Sequence, residues 1–305
     1  MEKQTLYISN FNKFLLKIFL TSLTACVLFS YFFEKSIVLK TEISGASKIN
    51  RILNQNHKYE IPIFGTSRSE QCYIPSIINN SNNSFNYGIP GIGSNIWIFF
   101  LEKELEKQKS TPIIINFDLR GFTNSVGDVN SYIPNYNEVK HLIPNHKNVL
   151  YEIPFIKYYG SFVVLFKYYL NEKFNFTKLT DNGGSFYIHG PTKENFDLLV
   201  EKRKSIASSF KYDFKLSKKF NNLIASTDRK IYIVIAPYHK SYFYNFKNLP
   251  QFEGYLRKLR DIENVEIIDL RHFIKDDSLF LDTSHLKWEG AKKFSHQLSK
   301  IINKI

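Results

Sequence analysis

Asp282 and His285 stand three residues apart in LDTSHLKWEGA, just before an amphipathic stretch. That spacing lets one carboxylate orient one imidazole, fixing its tautomer and stabilising the imidazolium. Far upstream, IPIFGTSRS over 61–69 runs an apolar segment into a small, tight turn that carries Ser67. A serine hydroxyl is a poor nucleophile until a neighbouring base removes its proton, so the three residues supply the parts of a Ser-His-Asp site. They occur in the order Ser, Asp, His, one of several orders in which this constellation arises on unrelated folds. Negative charge developing on a substrate oxygen needs donors as well, and the backbone amides of Ser67 and Gly91 are the best-placed candidates. Each residue also has a plainer role open to it: Ser67 as a helix cap, Asp282 as the cap of a turn, His285 as a structural histidine.

For these residues to meet, the chain must bring distant segments to one edge. Apolar runs bounded by turn residues read as strands at 60–64, 84–87, 112–117, 230–236 and 264–269, with helical candidates at 95–109, 250–262 and 287–303 between and after them. Such alternation makes a parallel sheet covered by helices on both faces, with its sites at the C-terminal edge of the strands. The GTSRS turn falls there, as do NYGIPGIGS and FDLRGF after the second and third strands; the fourth strand ends in APYHKSY. Residues from about 122 to 229 interrupt the pattern and read as a mostly helical insertion or lid, with helices at 154–171 and 194–222, because a structureless loop of that length does not suit a compact domain.

The chain has 305 residues, 43% hydrophobic and 23% charged, enough for one large domain or two small ones with a buried core. Its formal charge of +13 would suit an anionic partner. The lysines are scattered and mixed with glutamates, and no nucleic-acid module is recognisable, so a basic solvated surface is expected and nucleic acid is not. Two cysteines, Cys26 and Cys72, predict no disulfide framework, and Cys72 reads as a small buried hydrophobe. The eight histidines lack metal-ligand spacing, so neither a metal nor another cofactor is expected.

Residues 18–33, IFLTSLTACVLFSYFF, carry no charge, and with Phe14 to Lys17 they reach the length that crosses a bilayer. Lys3, Lys13 and Lys17 precede the run, which predicts an N-terminus left inside and a body that is periplasmic or extracellular. A cleaved signal peptide is a second reading. A third is lipoprotein processing at Cys26, since Leu23 to Cys26 resemble a lipobox, although Val27 to Phe33 stay apolar. The expected organisation is a cytoplasmic tail and anchor over 1–40, a polar linker over 41–58, and an α/β domain over 59–305 containing the insertion.

GTS, then NYGIPG, then DTSHLKWEGA resembles the SGNH (GDSL-like) hydrolase superfamily over about 60–300, outside the insertion. The resemblance implies a three-layer α/β/α fold around a five-stranded parallel flavodoxin-like sheet. It makes Ser67 the nucleophile, Gly91 the oxyanion glycine, Asp282 the orienting acid and His285 the base. Thr66 stands where the family's aspartate usually does, and with Arg68 the turn looks like the GTSR variant of membrane-anchored envelope members, including proteins of polysaccharide O-acetylation systems. For the family's oxyanion asparagine the nearest candidate is Asn116, with Asp118 at the alternative alignment. Arg68, Arg120 and His239 are candidate substrate-binding residues, Trp97 and Trp288 candidates for sugar stacking. The expected activity is that of a membrane-anchored serine esterase or O-acyltransferase acting on acyl, first of all acetyl, esters of an envelope glycan. Its expected partners are that glycan or an acyl donor, the membrane, and polysaccharide-modification proteins. The alternative is a non-catalytic SGNH-like binding or assembly component of an envelope polysaccharide system.

Overall fold

The computed structural model describes residues 2–38, 48–54, 59–79, 83–124, 142, 162–174, 183–185 and 193–303. Five strands form one sheet: β1 (Ile61–Phe64), β2 (Ser84–Asn86), β3 (Ile113–Asn116), β5 (Ile231–Ile235) and β7 (Val265–Asp269). Their order is β2-β1-β3-β5-β7 and every pairing is parallel. β3 reads IIIN and β5 IYIVI, and all nine residues are buried, as strands covered on both faces require. Alternate side chains serve opposite faces. Ile113, Ile115, Ile231, Ile233 and Ile235 join one apolar cluster, while Ile114, Tyr232 and Val234 join the other.

The first cluster is completed by α2 (Lys48–Asn54), α5 (Ser94–Leu105), α8 (Phe214–Ala225) and α9 (Leu249–Arg260), and the second by α3 (Ser67–Cys72), α4 (Pro75–Ile78), α7 (Lys193–Ser205) and α10 (Trp288–Ile302). α10 presents Ala291, Phe294 and Leu298 on one stripe, at helical spacing. Phe294 meets Tyr73 edge-on at 5.0 Å, and Ser295 accepts a hydrogen bond from the Ile74 amide at 2.9 Å. Burying Phe294 and Leu298 contributes about 1.5–3 kcal/mol each and fixes the C-terminal helix against the segment that follows Ser67.

The expected linker holds more structure than its polar composition suggested. α2 lies within it and sends Ile49 and Ile52 into the core. Lys48, 1% exposed, donates to Glu70 at 2.9 Å and to the Gly88 carbonyl. Burial lowers the Lys48 pKa, while Glu70 opposes the shift. Lys48→Ala leaves Glu70 buried without its cation and is expected to cost about 3–5 kcal/mol in urea unfolding. Lys48→Met combined with Glu70→Leu should recover most of that loss, since paired apolar replacement is close to neutral.

Within the insertion, the described residues form α6 (Phe162–Phe174), α7 and α8. The single helix expected over 194–222 is two helices. Between them β4 (Ser208–Ser209) pairs with β6 (Phe246–Lys247), and Asp213 caps α8 by accepting from the Leu216 amide. At the other end of the chain, α1 (Glu2–Phe33) and one wider turn (Glu34–Val38) contain a 28-residue stretch, Asn10–Ile37, long and apolar enough to cross a membrane.

Candidate active site

β1 ends at Phe64, and the chain turns through Gly65 and Thr66 into α3. Sheet order reverses between β1 and β3, and the loops leaving their C-terminal ends open a crevice there. Ser67 is the first residue of α3, so its amide has no partner inside the helix. The cap position belongs to Thr66, which makes no side-chain cap. The Ser67 side chain is turned to histidine instead, with Oγ 2.9 Å from His285 Nε2. His285 Nδ1 lies 2.7 Å from Asp282 Oδ2. The second oxygen of Asp282 accepts from the amides of Ser284 and His285 at 2.7 and 2.8 Å and from the Ser284 hydroxyl at 3.0 Å.

Burial alone would raise the Asp282 carboxyl, but the hydrogen bonds and charge of His285, together with Ser284, outweigh it and hold the group down at about 2. An ionised carboxylate only accepts, so the Nδ1 proton of neutral His285 points to Asp282 and Nε2 is left to accept from Ser67. The folded-state value lies below the ordinary one, so the native protein binds fewer protons than the unfolded chain between about pH 4 and pH 2. The contribution of Asp282 to stability is therefore complete above about pH 4 and lost as pH falls through about 2. Asp282→Asn is expected to flatten that part of the acid-unfolding curve; an unchanged slope would contradict the assignment.

Gly91 is exposed and, with φ of 74°, has a backbone that favours glycine; it lines a hollow together with Ser67. Gly88 has a different task. A Cβ there would stand 2.6 Å from the Glu70 amide and 2.7 Å from Ser69 Cβ, so only glycine lets this loop press on the Ser67 turn. Asn116 is buried, donating to Asp118 Oδ1 at 3.0 Å and accepting from the Tyr73 hydroxyl at 3.0 Å. Its amide is thus engaged with protein groups. Asp118 is engaged too: it accepts from Thr66 Oγ1 at 2.8 Å, and its Oδ1 lies 2.9 Å from Arg68 Nε. Ser67 and Gly91 line the larger of the two hollows beside Ser67, and Asn116 is in the lining of neither.

Arg68, a substrate-binding candidate on sequence, is 5% exposed and used internally. Its guanidinium lies 3.4 Å from the Tyr238 ring centroid and donates to the carbonyls of Ala236 at 2.8 Å, Pro237 at 3.2 Å, and Ser284. One side chain therefore ties the Ser67 turn to the β5 loop and to the residue before His285. His239 is likewise buried: Nδ1 bonds with the Ser241 hydroxyl at 2.7 Å, Nε2 lies 3.1 Å from Asp277, and the ring packs edge-on to Phe196 and Phe280. Its main-chain amide bonds to Thr283, steadying the Asp-x-x-His loop from behind. Trp97 belongs to the core, where it meets Phe220 edge-on at 5.4 Å. Trp288 is partly exposed at the start of α10. Cys72 is buried, and burial pushes its thiol up to about 11 against the opposing field of Arg68, which keeps it unreactive.

Two hollows of about 540 and 390 Å³ share Thr66, Ser67, Arg120 and Lys211 in their walls. The larger runs past Gly91, Phe122 and Tyr212; the smaller passes Arg203, Tyr238, Tyr242 and His285. Among the described residues no cluster of three His, Cys, Asp or Glu side chains is grouped to hold a metal ion. The structural role of Arg68 had one legible signal, an arginine on the first turn of a helix that must be buried against the sheet. Lys211 and Tyr242 had none, because they come from the insertion and the loop beyond β5. A comparison of the chain with protein-family models and with curated proteins found no match.

Proposed function

We infer that this chain is an exported, membrane-anchored serine esterase or O-acyltransferase of SGNH type, moving an acyl group, acetyl first of all, on or off a cell-envelope glycan. The observation that carries the reading is the continuous contact from Ser67 through His285 to Asp282. Strand order supports it as well: numbered within the sheet alone it is 2-1-3-4-5, which suits a flavodoxin-like three-layer fold. In the proposed reaction Ser67 Oγ attacks the acyl carbonyl carbon while its proton passes to His285 Nε2. The oxyanion is steadied by the amides of Ser67 and Gly91. When the tetrahedral adduct collapses, the ester C–O bond breaks and the departing sugar oxygen takes the proton from His285. The acyl-serine is then attacked by water, giving an esterase, or by a sugar hydroxyl, giving a transferase; either attacker yields its proton to His285, and as the second adduct collapses the bond from the acyl carbon to Ser67 Oγ breaks and Oγ takes that proton back.

Lys3 ahead of the Asn10–Ile37 stretch and Lys13 and Lys17 in its first third support a body outside the membrane. The engagement of Asn116 by Asp118 and Tyr73 favours a second reading, a non-catalytic glycan-binding or assembly component. The two are separated by incubating the full chain in detergent with 4-nitrophenyl acetate. Release of nitrophenol well above the buffer rate is expected of the esterase, and release at the buffer rate sides with the binding component.

A further inference from the structure

Arg120 and Lys211 are brought together from segments far apart in the chain. The Lys211 amide donates to the Arg120 carbonyl at 3.0 Å, and the Phe122 amide donates to the Lys211 carbonyl at 2.9 Å. This short parallel pairing, centred on Gly121 and Lys211, stitches the end of the insertion to the loop after β3. Both residues line both hollows beside Ser67, and both are exposed. Among the described residues neither has a carboxylate within ion-pair distance. The two acids that share these walls are committed elsewhere: Asp118 to Thr66, Asn116 and Arg68, and Asp213 to the amide of Leu216. Arg203, deeper in the smaller hollow, adds a third cation, held over the Tyr242 ring at 4.2 Å and donating to Ser208 with no carboxylate partner among the described residues. Two cations without a carboxylate partner among the described residues, brought side by side by main-chain bonds next to Ser67, with tyrosines on either side, suit a sugar that carries negative charge.

We propose that Arg120 and Lys211 are specificity residues that hold a carboxylate or phosphate of an anionic glycan beside the Ser67 hydroxyl. The proposal deepens the esterase or acyltransferase reading and takes from it only that Ser67 marks where the substrate lies. Neutral glycans lose that contact and bind the same walls through stacking alone.

The test uses the full chain carrying Ser67→Ala, in detergent, so that bound sugar is never turned over. Probes are fluorescent trigalacturonate against its neutral methyl ester, and maltotriose phosphate against maltotriose. At least one charged probe is expected to bind about tenfold more tightly than its twin at low salt, with the gap closing as salt is raised. The member of the set that shows the gap identifies carboxylate or phosphate. Adding Arg120→Gln and Lys211→Gln should erase the gap, whereas Arg120→Lys with Lys211→Arg should retain it. Equal binding of charged and neutral probes, or a gap that survives loss of both cations, would overturn the proposal. A wild-type chain that fails to cleave 4-nitrophenyl acetate while the binding gap stands would sink the esterase reading and leave the anion site in place.

Discussion

Ser67→Ala is expected to lower the ester turnover of this protein by about 10⁴- to 10⁶-fold, with folding unchanged. The substitution deletes one oxygen at the mouth of a hollow and leaves the main-chain frame of α3 intact. His285→Ala should cost about as much, and the double variant little more, because the proposed mechanism joins the two groups in one proton transfer. Asp282→Asn tests the third member differently. The amide can donate to Nδ1, which would put the imidazole proton on Nε2, facing Ser67, and a loss of about 10⁴-fold is expected from the wrong tautomer alone. Turnover numbers for these variants with a chromogenic acetyl ester check all three statements. Equal turnover by Ser67→Ala and the wild type would remove Ser67 from the mechanism.

Arg68→Met is expected to produce the next largest effect, through position and not through contact with substrate. Removing the guanidinium takes the cation from half-buried Asp118 and the donors from the carbonyls of Ala236, Pro237 and Ser284. Breaking such a buried pair costs about 3–5 kcal/mol, measurable by urea unfolding. Loss of the bond to Ser284 also frees the loop that sets the Ser67 to His285 distance. A displacement of about 1 Å is worth about 10²-fold in rate, and it should fall on kcat while KM for a small ester stays nearly constant. Arg68→Lys should recover little, because an ammonium cannot serve three carbonyls and a stacked ring in the manner of a planar fork. A variant that loses stability but keeps its kcat would assign Arg68 to the scaffold alone.

The central strands were legible because a strand buried on both faces is apolar along nearly all its length: IPIF, IIIN and IYIVI admit few other readings between turn residues. Their direction followed from the intervening helices. The polar stretch before β1 concealed α2, since KINRILN places only Ile49, Ile52 and Leu53 on an apolar face while Lys48 is neutralised by Glu70, a partner 22 residues away. Tertiary pairing of that kind leaves no local trace. The same reason separates the arginines. Arg68 and Arg120 look alike in GTSRS and FDLRGF, yet one is walled in by Tyr238 and three carbonyls while the other stands at the mouth of the site. His239 sits in a strand-end loop that suggests a pocket, and the short turn Lys240–Phe243 that it caps instead draws it into the interior. For Ser67, Asp282 and His285 the spacing within each motif was local and readable; only the 2.9 Å between the motifs required the fold.

The central claim is that His285 activates the Ser67 oxygen as a nucleophile. It is tested most directly by treating the full chain in detergent with a fluorophosphonate, which is attacked by an activated serine, and locating the adduct by peptide mass spectrometry. One adduct on Ser67 is expected, absent in His285→Ala and after denaturation. No adduct on Ser67 in the native protein, or one that persists without His285, would contradict the account.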